Sequence, residues 1–146
     1  MPDPQDVTLL YLVKQVELAV RSRLEDATGE YGLTSLQYTA LTVLERRPGL
    51  TSAGLARNSF VRAQTMAQMT SYLEDKALIR RQPDPDSKRQ FLLFLTDEGK
   101  SVVDALRAPV AAIEGDLIAG LSDSQVADFR AMLRAGREAL GGSSAH

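Results

Sequence analysis

Apolar and polar residues separate most clearly between Ala63 and Lys76, where their spacing predicts an amphipathic helix. Residues that favour burial recur at i, i+3, i+4 and i+7, and they form one stripe: Met66, Met69, Thr70 and Leu73. Because a helix advances about 100° per residue, a polar face lies opposite this stripe. That face carries Gln64, Gln68, Ser71 and Asp75, with Thr65 and Tyr72 on its flank.

The composition of the polar face favours DNA over plain solvent as its neighbour. A solvated helix more often carries Glu and Lys in i,i+4 pairs, whereas the segment from Arg62 to Tyr72 contains no carboxylate. Gln suits bidentate pairing with adenine, and Ser and Thr serve either base. We therefore interpret this helix as one that enters a major groove. The alternative is an ordinary solvated face.

The segments on either side of this helix complete the pattern of a winged helix-turn-helix. Thr51 is expected to cap a helix from Ser52 to Asn58, with Asn58-Ser59 as the turn. Leu50-Thr51 is expected to form a brief strand against the wing. Phe60 and Val61 are expected to fill the core beneath the turn.

A β-hairpin is predicted after the helix, because two short apolar or mixed runs flank strong turn residues. The runs are Ile79 to Gln82 and Phe91 to Leu95, and Pro and Asp alternate at the start of the turn between them, residues 83–89. Lys88 and Arg89 then lie near the hairpin tip, where Arg suits phosphate and narrow minor grooves. The competing interpretation is a solvated loop with two routine cations.

Four further helical patterns flank this central block. Val7 to Glu30 has an apolar surface wider than one stripe, which indicates a second cover, such as another subunit. A capping box at Thr34–Gln37 starts a helix that runs to about Arg47. Thr96 opens a long helix that Pro109 should bend or break. A second capping box, Ser122–Gln125, opens the last helix.

Composition restricts the chemistry that the chain can perform. It has no Cys, and its single His is residue 146, so thiol chemistry and histidine-bearing metal or catalytic sites are not expected. No cofactor and no metal are predicted. No apolar run approaches the roughly 20 residues that cross a bilayer, and the acidic, Pro-marked start does not resemble a signal peptide. We expect a cytoplasmic protein that is not an enzyme.

The charge is unevenly distributed, although the net charge is only −2. Between Thr34 and Thr96 there are nine Lys or Arg and five Asp or Glu, so the excess of acidic residues lies in the flanks. A local positive field governs attraction to phosphate, and the proposed DNA-facing block has one.

At these residues the chain resembles the MarR (multiple antibiotic resistance regulator) family of transcription factors. Three segments carry the resemblance, in the family's order and spacing: LTSAGLA, VRAQTMAQMTSYLEDKALIRR and DPDSKRQFLLFLTDEG. The likeness extends from about Leu9 to Leu140. It implies a mainly α fold with a small β-wing, in which N- and C-terminal helices form a dimerisation region. The alternative function is a protein-interaction module that keeps the fold without DNA binding.

The resemblance implies a division of the chain and a set of DNA contacts. Residues 1–146 form one domain, with 34–96 as the DNA-binding part, 7–33 and 97–140 as dimerisation helices, and 141–146 as a disordered tail. A homodimeric repressor on a pseudo-palindromic operator is implied. The expected contacts to double-stranded DNA are Arg62, Gln64, Thr65, Gln68, Ser71, Lys88 and Arg89.

Two positions depart from the family pattern, and the effector remains open. The wing motif is Asp-x-Arg, and Arg89 matches its arginine, but Ser87 stands at the aspartate position, leaving Ser87 or Asp86 to support the arginine. Arg62 stands where the family has a capping Ser or Thr. A small phenolic or aromatic acid is an expected ligand, with these lining candidates: Tyr11, Arg21, Arg23, Tyr31 and Tyr38. Alternatively, the Tyr residues belong to the core or an interface.

Overall fold

The computed structural model describes residues 6–141, and the described chain forms six helices and one β-hairpin. The elements, in chain order, are α1 (Leu9–Gly29), α2 (Ser35–Arg46), α3 (Ser52–Ser59), α4 (Ala63–Asp75), β1 (Ile79–Asp84), β2 (Ser87–Leu95), α5 (Asp97–Ile118) and α6 (Asp123–Ala139). This order is that of a winged helix-turn-helix, α2 to β2, between long outer helices.

Side-chain caps fix where five of the six described helices begin, including α1, where the Thr8 hydroxyl accepts the Tyr11 N–H at 3.1 Å. Both predicted capping boxes are present, since Thr34 and Ser122 each accept from the backbone three residues on, and the glutamine there bonds back. Thr51 caps α3 and Thr96 caps α5, as predicted. Arg62 stands at the start of α4 without a side-chain cap, so the first N–H groups of α4 have no such acceptor.

The core lies between the helix-turn-helix, the wing and α5. The predicted stripe of α4 is buried, and Met66 and Leu73 have no exposed surface. They pack with Leu41 and Leu44 of α2 and with Leu55 of α3. The polar face of α4 therefore points outward because its other side is fixed in this core.

The wing is longer than the sequence pattern indicated. Antiparallel pairing runs from Ile79–Leu95 to Asp84–Ser87, so only Pro85 and Asp86 form the turn. Lys88 and Arg89 lie in β2 rather than in the loop, and the register shifts beside them, between Pro83 and Asp84. The backbone amide of Asp86 bonds the Asp84 carboxylate at 2.9 Å, which closes the turn locally.

A single bridge adds the chain before α3 to this sheet, as predicted. Leu50 pairs with Leu93, and the backbone bonds on either side measure 2.8 and 2.9 Å. The bridge brings the start of α3 next to the wing.

Two expectations about the central block and one about α5 need correction. Helix α3 continues through Ser59, so the turn lies at Phe60 and Val61. Val61 packs against the core as expected, but Phe60 is 69% exposed because it ends α3 in the left-handed conformation, which directs its side chain outward. For Pro109 the sequence predicts either a bend or a break, and the break does not occur, since helix α5 continues through this residue.

Backbone contact at one glycine joins the wing to the outer helices. Gly99 is buried in the first turn of α5, where an added Cβ would lie 2.0 Å from the Leu78 carbonyl oxygen. The same oxygen accepts the Thr96 N–H at 3.1 Å, and the Thr96 hydroxyl donates to the Ala77 carbonyl at 2.6 Å. This junction positions α5 directly against the start of β1.

The outer helices leave much apolar surface uncovered within one chain. Leu9, Leu10 and Val13 of α1 are mostly exposed, and so are Met132 and Leu133 of α6. No residue of α6 is buried in the described chain. None of the described helices is both long and apolar enough to cross a membrane. The predicted tail lies outside the described residues except for Gly141.

Candidate nucleic-acid interface

The outward face of α4 presents the side chains expected to read base edges. Gln64, Thr65 and Gln68 are exposed, and each points away from the buried stripe. The Ser71 hydroxyl is also exposed but bonds the Ala67 carbonyl of its own helix at 3.1 Å. Ser71 therefore has to give up a backbone bond, or accept through its lone pairs, to contact a base.

Arg89 and Lys88 are exposed cations of the wing. Both are exposed on β2, beside the shift in strand register. Within residues 6–141, Arg89 has no ion pair, so neither Asp86 nor Ser87 holds its guanidinium. Its five donors are available to an anion.

A cleft between α3, α4 and the wing contains residues that the sequence interpretation did not assign. It has a volume of about 250 Å³. It is lined by the start of α3, one residue of α4 and the middle of the wing: Thr51, Ser52, Ala53, Thr70, Arg81, Arg89, Gln90, Phe91 and Leu93. The Thr51 side chain takes the Gly54 N–H, and the first N–H groups of a helix favour anions. The sequence did contain one sign of this cleft: the predicted pairing of Leu50 with the wing brings the start of α3 next to the strand that carries Arg89.

Arg81 supports the wing instead of facing solvent freely. Its Nε donates to the Glu74 carboxylate of α4 at 2.8 Å, and its guanidinium lies 5.1 Å from the Phe91 ring centroid. The ion pair links α4 to β1, and the Arg81 guanidinium also stacks on Phe91 of β2, so one side chain connects α4 to both strands of the wing.

Ion pairs, like the charges, are unevenly distributed between the central block and the flanks. Of the nine Lys and Arg between Thr34 and Thr96, only Arg81 pairs with a carboxylate in the described structure. In the flanks, by contrast, five of the eight cations are paired in the described structure, and the three on α6 are not; the paired ones are Lys14, Arg21, Arg23, Lys100 and Arg107. The positive charge of the central block is therefore not neutralised by the protein.

The ligand candidates do not converge within one chain. Arg21 lines a cleft of about 600 Å³ between α1 and α2, but its Nε donates to Glu17 at 2.8 Å. That bond from Arg21 lowers the pKa of Glu17, which keeps the carboxylate ionised. Arg23 lines a separate cleft against α5 and pairs with Asp116 at 2.7 Å.

The three candidate tyrosines are placed apart. Tyr11 lies near the start of α1 and Tyr31 follows its end, about 30 Å away at 1.5 Å per residue. Neither lines the α1–α2 cleft, and both are exposed. Tyr38 is partly buried on α2, and that burial raises the pKa of its hydroxyl. One protomer therefore does not gather these side chains into a single pocket.

Comparison with known proteins places the chain among transcription regulators. A sequence profile of the MarR family matches residues 31–90. The HTH-type transcriptional repressor Rv2887 of Mycobacterium tuberculosis is 32% identical over 128 residues, which is 88% of this chain and 92% of that protein. The crystal structure of Rv2887 with salicylic acid aligns at 31% identity with a TM-score of 0.69, covering 90% and 97% of the two chains. The S. aureus MepR–DNA complex shares the fold, with a TM-score of 0.85, 23% identity, and 92% and 99% coverage.

Proposed function

The chain belongs to the MarR family, and on that premise we propose that it is a dimeric repressor of transcription that binds a pseudo-palindromic operator. The observation that carries this function is the outward face of α4, which is rich in amides and hydroxyls and lies beside unpaired cations of the wing. The proposed location is the cytoplasm, where bacterial DNA lies.

Dimerisation uses the outer helices. The described chain leaves apolar residues exposed at the start of α1 and along α6, and so many exposed large apolar side chains favour an interface with another subunit. A two-fold dimer also matches a palindromic site, because each subunit then reads one half. Light scattering after size exclusion should give the dimer mass at micromolar concentration, and a monomer there would refute this arrangement.

Helix and wing have different roles on the DNA. Gln64, Thr65, Gln68 and Ser71 of each subunit enter the major groove, and Arg62 reaches a phosphate at the start of α4. Arg89, with Lys88, contacts the backbone or the adjacent minor groove. The two recognition helices then lie about 34 Å apart, one turn of the duplex.

Two variants separate these roles. Gln68→Ala should relax preference at one base of each half-site, at a cost of about 1–3 kcal/mol against the preferred base. Arg89→Ala should weaken binding to all sequences and reduce the salt slope by about one per lost phosphate contact. If Arg89 instead reads a narrow A·T-rich minor groove, its loss also weakens preference at the flanks.

The experiment measures the affinity of each variant for operator and scrambled DNA across a salt series. Lys100→Ala is the matched control, because it also removes an exposed cation but one outside the proposed DNA contacts, near the start of α5. If neither Gln68→Ala nor Arg89→Ala changes affinity, preference or salt slope, the assigned surface is wrong. If the wild type binds no DNA at low salt, the interaction-module alternative replaces the repressor.

The effector is proposed to be a small aromatic acid, as the salicylic acid complex of the related Rv2887 protein supports. The α1–α2 cleft offers the volume, and Leu24 and Leu36 offer apolar lining. Arg21 is the cation there, but Glu17 already holds it. An acid ligand must therefore compete with Glu17, and the partner chain of the dimer is expected to complete the site.

This competition gives the effector hypothesis a direct test. Glu17→Gln should free Arg21 and strengthen salicylate binding several-fold, whereas Arg21→Ala should weaken it. In the wild type, millimolar salicylate should lower operator affinity, because we expect salicylate to bind more tightly to the conformation whose half-site spacing does not match the operator. If no aromatic acid at millimolar concentration changes operator affinity or melting temperature, the effector class is wrong.

A further inference from the structure

Tyr72 occupies a place on α4 that neither the base-reading face nor the buried stripe explains. It is 37% exposed and lies on the flank of the helix, near its C-terminal end. Its hydroxyl donates to the backbone carbonyl of Gly32 at 2.6 Å, 40 residues away in the sequence. This bond reaches from the recognition helix to the segment between α1 and α2.

The partner of this bond belongs to the corner where α1 ends. The Gly32 N–H donates to the Gly29 carbonyl, the last residue of α1, at 3.0 Å. Gly32 itself has a φ of +70°, a conformation that glycine adopts without steric cost. Gly32 thus accepts a hydrogen bond from α4 through its carbonyl and donates one to the last residue of α1 through its amide.

Lys76 keeps the Tyr72 ring in place. Its ammonium lies 5.4 Å from the ring centroid, a cation–π distance. The same ammonium lies against Gly32, since a Cβ added there would be 2.6 Å from Nζ. The ring position therefore has support that does not depend on the hydroxyl.

The hydrogen bond from Tyr72 to Gly32 matters because α1 and α4 pack mainly on other elements. Helix α1 packs on α2 and α5, whereas α4 packs on α3 and β1. The orientation of α4 relative to α1 is thus carried largely through α2 and the core. A direct hydrogen bond from α4 to Gly32, in the corner that follows α1, constrains that orientation independently.

We infer that Tyr72 is a positioning residue that sets the half-site spacing the dimer prefers. The inference rests on the proposed operator binding, in which α1 belongs to the dimer contact and α4 to the DNA contact. In a two-fold dimer, a change in the angle between α1 and α4 that moves α4 perpendicular to the symmetry axis shifts the two copies of α4 in opposite directions and so changes their spacing. The Tyr72 hydroxyl restricts that angle, so it restricts the spacing without touching a base.

The test starts by selecting an operator from random duplex DNA with the wild-type protein. Base pairs are then added or removed between its half-sites, and affinity is measured for wild type, Tyr72→Phe and Tyr31→Phe. Tyr72→Phe keeps the ring and removes the hydroxyl. Tyr31 is the matched control, since it is 39% exposed at the same corner, and its hydroxyl makes no hydrogen bond within residues 6–141.

Tyr72→Phe should lower the ratio between affinities for the best and the altered spacings by about twofold to tenfold, the range of one net hydrogen bond. Tyr31→Phe should discriminate as the wild type does. Unchanged discrimination in Tyr72→Phe, or an equal loss of affinity at every spacing, would overturn the inference. If the wild type selects no palindrome, the proposed function fails instead, before Tyr72 is tested.

A second measurement reads the geometry without DNA. The chain has no Cys, so Asp75→Cys places one spin label at the exposed end of each α4. The label-to-label distance in the dimer should be broader or displaced when Tyr72→Phe is added. An identical distance distribution would overturn the inference even if affinity changed.

Discussion

Gly99→Ala should destabilise the protein strongly, because the position has no room for a methyl group. The added Cβ would meet the Leu78 carbonyl oxygen at 2.0 Å, and the Leu78 carbonyl carbon would lie at 3.0 Å. Both atoms belong to the backbone, so a side-chain rotation cannot relieve the contact. Either α5 or the start of β1 has to move by more than 1 Å, a rough figure set by ordinary carbon–oxygen contact distances.

The cost follows from the bonds that such a movement breaks. Displacing α5 separates the Thr96 amide from the Leu78 carbonyl, now 3.1 Å apart, and the Thr96 hydroxyl from the Ala77 carbonyl, now 2.6 Å apart. Each net bond contributes about 1 kcal/mol, and overpacking a tight site costs about 1–3 kcal/mol. The gain in helix propensity from Gly to Ala offsets at most about 1 kcal/mol. The expected loss is about 3 kcal/mol, or about 6–12 °C in Tm.

The measurement is urea unfolding at fixed protein concentration, because the stability of a dimer depends on concentration. Gly115→Ala is the matched control in the same helix, since a Cβ there meets nothing within 4 Å. It should be neutral or stabilising by up to about 1 kcal/mol. A Gly99→Ala protein within about 0.5 kcal/mol of the wild type would refute the assigned close approach of α5 to Leu78.

Two further substitutions test local features of the fold. Phe60→Gly should stabilise the protein by about 0.5–1 kcal/mol in urea unfolding, because Phe60 is exposed and has a φ of 59°; a loss of stability would show that Phe60 makes contacts beyond this chain. Hydrogen bonding from Arg107 lowers the pKa of Asp104. The ionised Asp104 therefore stabilises the fold above the ordinary pKa of an aspartate, and this stabilisation is lost as the pH falls through the lowered pKa. Asp104→Asn should therefore reduce the fall in urea midpoint between about pH 5 and about pH 3. An unchanged acid limb would contradict the ion pairs that link α5 to α2, in which Lys100 and Arg107 contact both Asp104 of α5 and Glu45 of α2.

The sequence predicted elements whose patterns are local. The stripe of α4 needs only one helix and one core, and Met66 and Leu73 are buried as expected. Both capping boxes were readable because their residues lie three apart and bond each other. The Leu50 bridge to the wing was also predicted, as a brief strand between the Pro48-Gly49 stop and the capped helix α3.

The errors arise where a backbone conformation or a distant contact decides the outcome. Phe60 was expected in the core from its hydrophobicity, but its left-handed backbone turns the side chain to solvent. Turn residues gave the correct location of the hairpin and too long a loop, because strand pairing continues through Pro83. The tyrosine candidates were grouped by chemical type, and the length of α1 separates Tyr11 from Tyr31.

Net charge is a poor guide to DNA binding in this chain because ion pairs are unevenly distributed. The flanks hold most of the acids and use several of them to pair with their own cations, as Glu17 does with Arg21 and Asp116 with Arg23. Such pairs have little field at a distance, since opposite charges within 4 Å cancel. The central block keeps cations such as Arg62 and Arg89 free of carboxylate partners in the described structure. An acidic protein can therefore present a positive surface, and its attraction to phosphate should fall with salt as each released counterion requires.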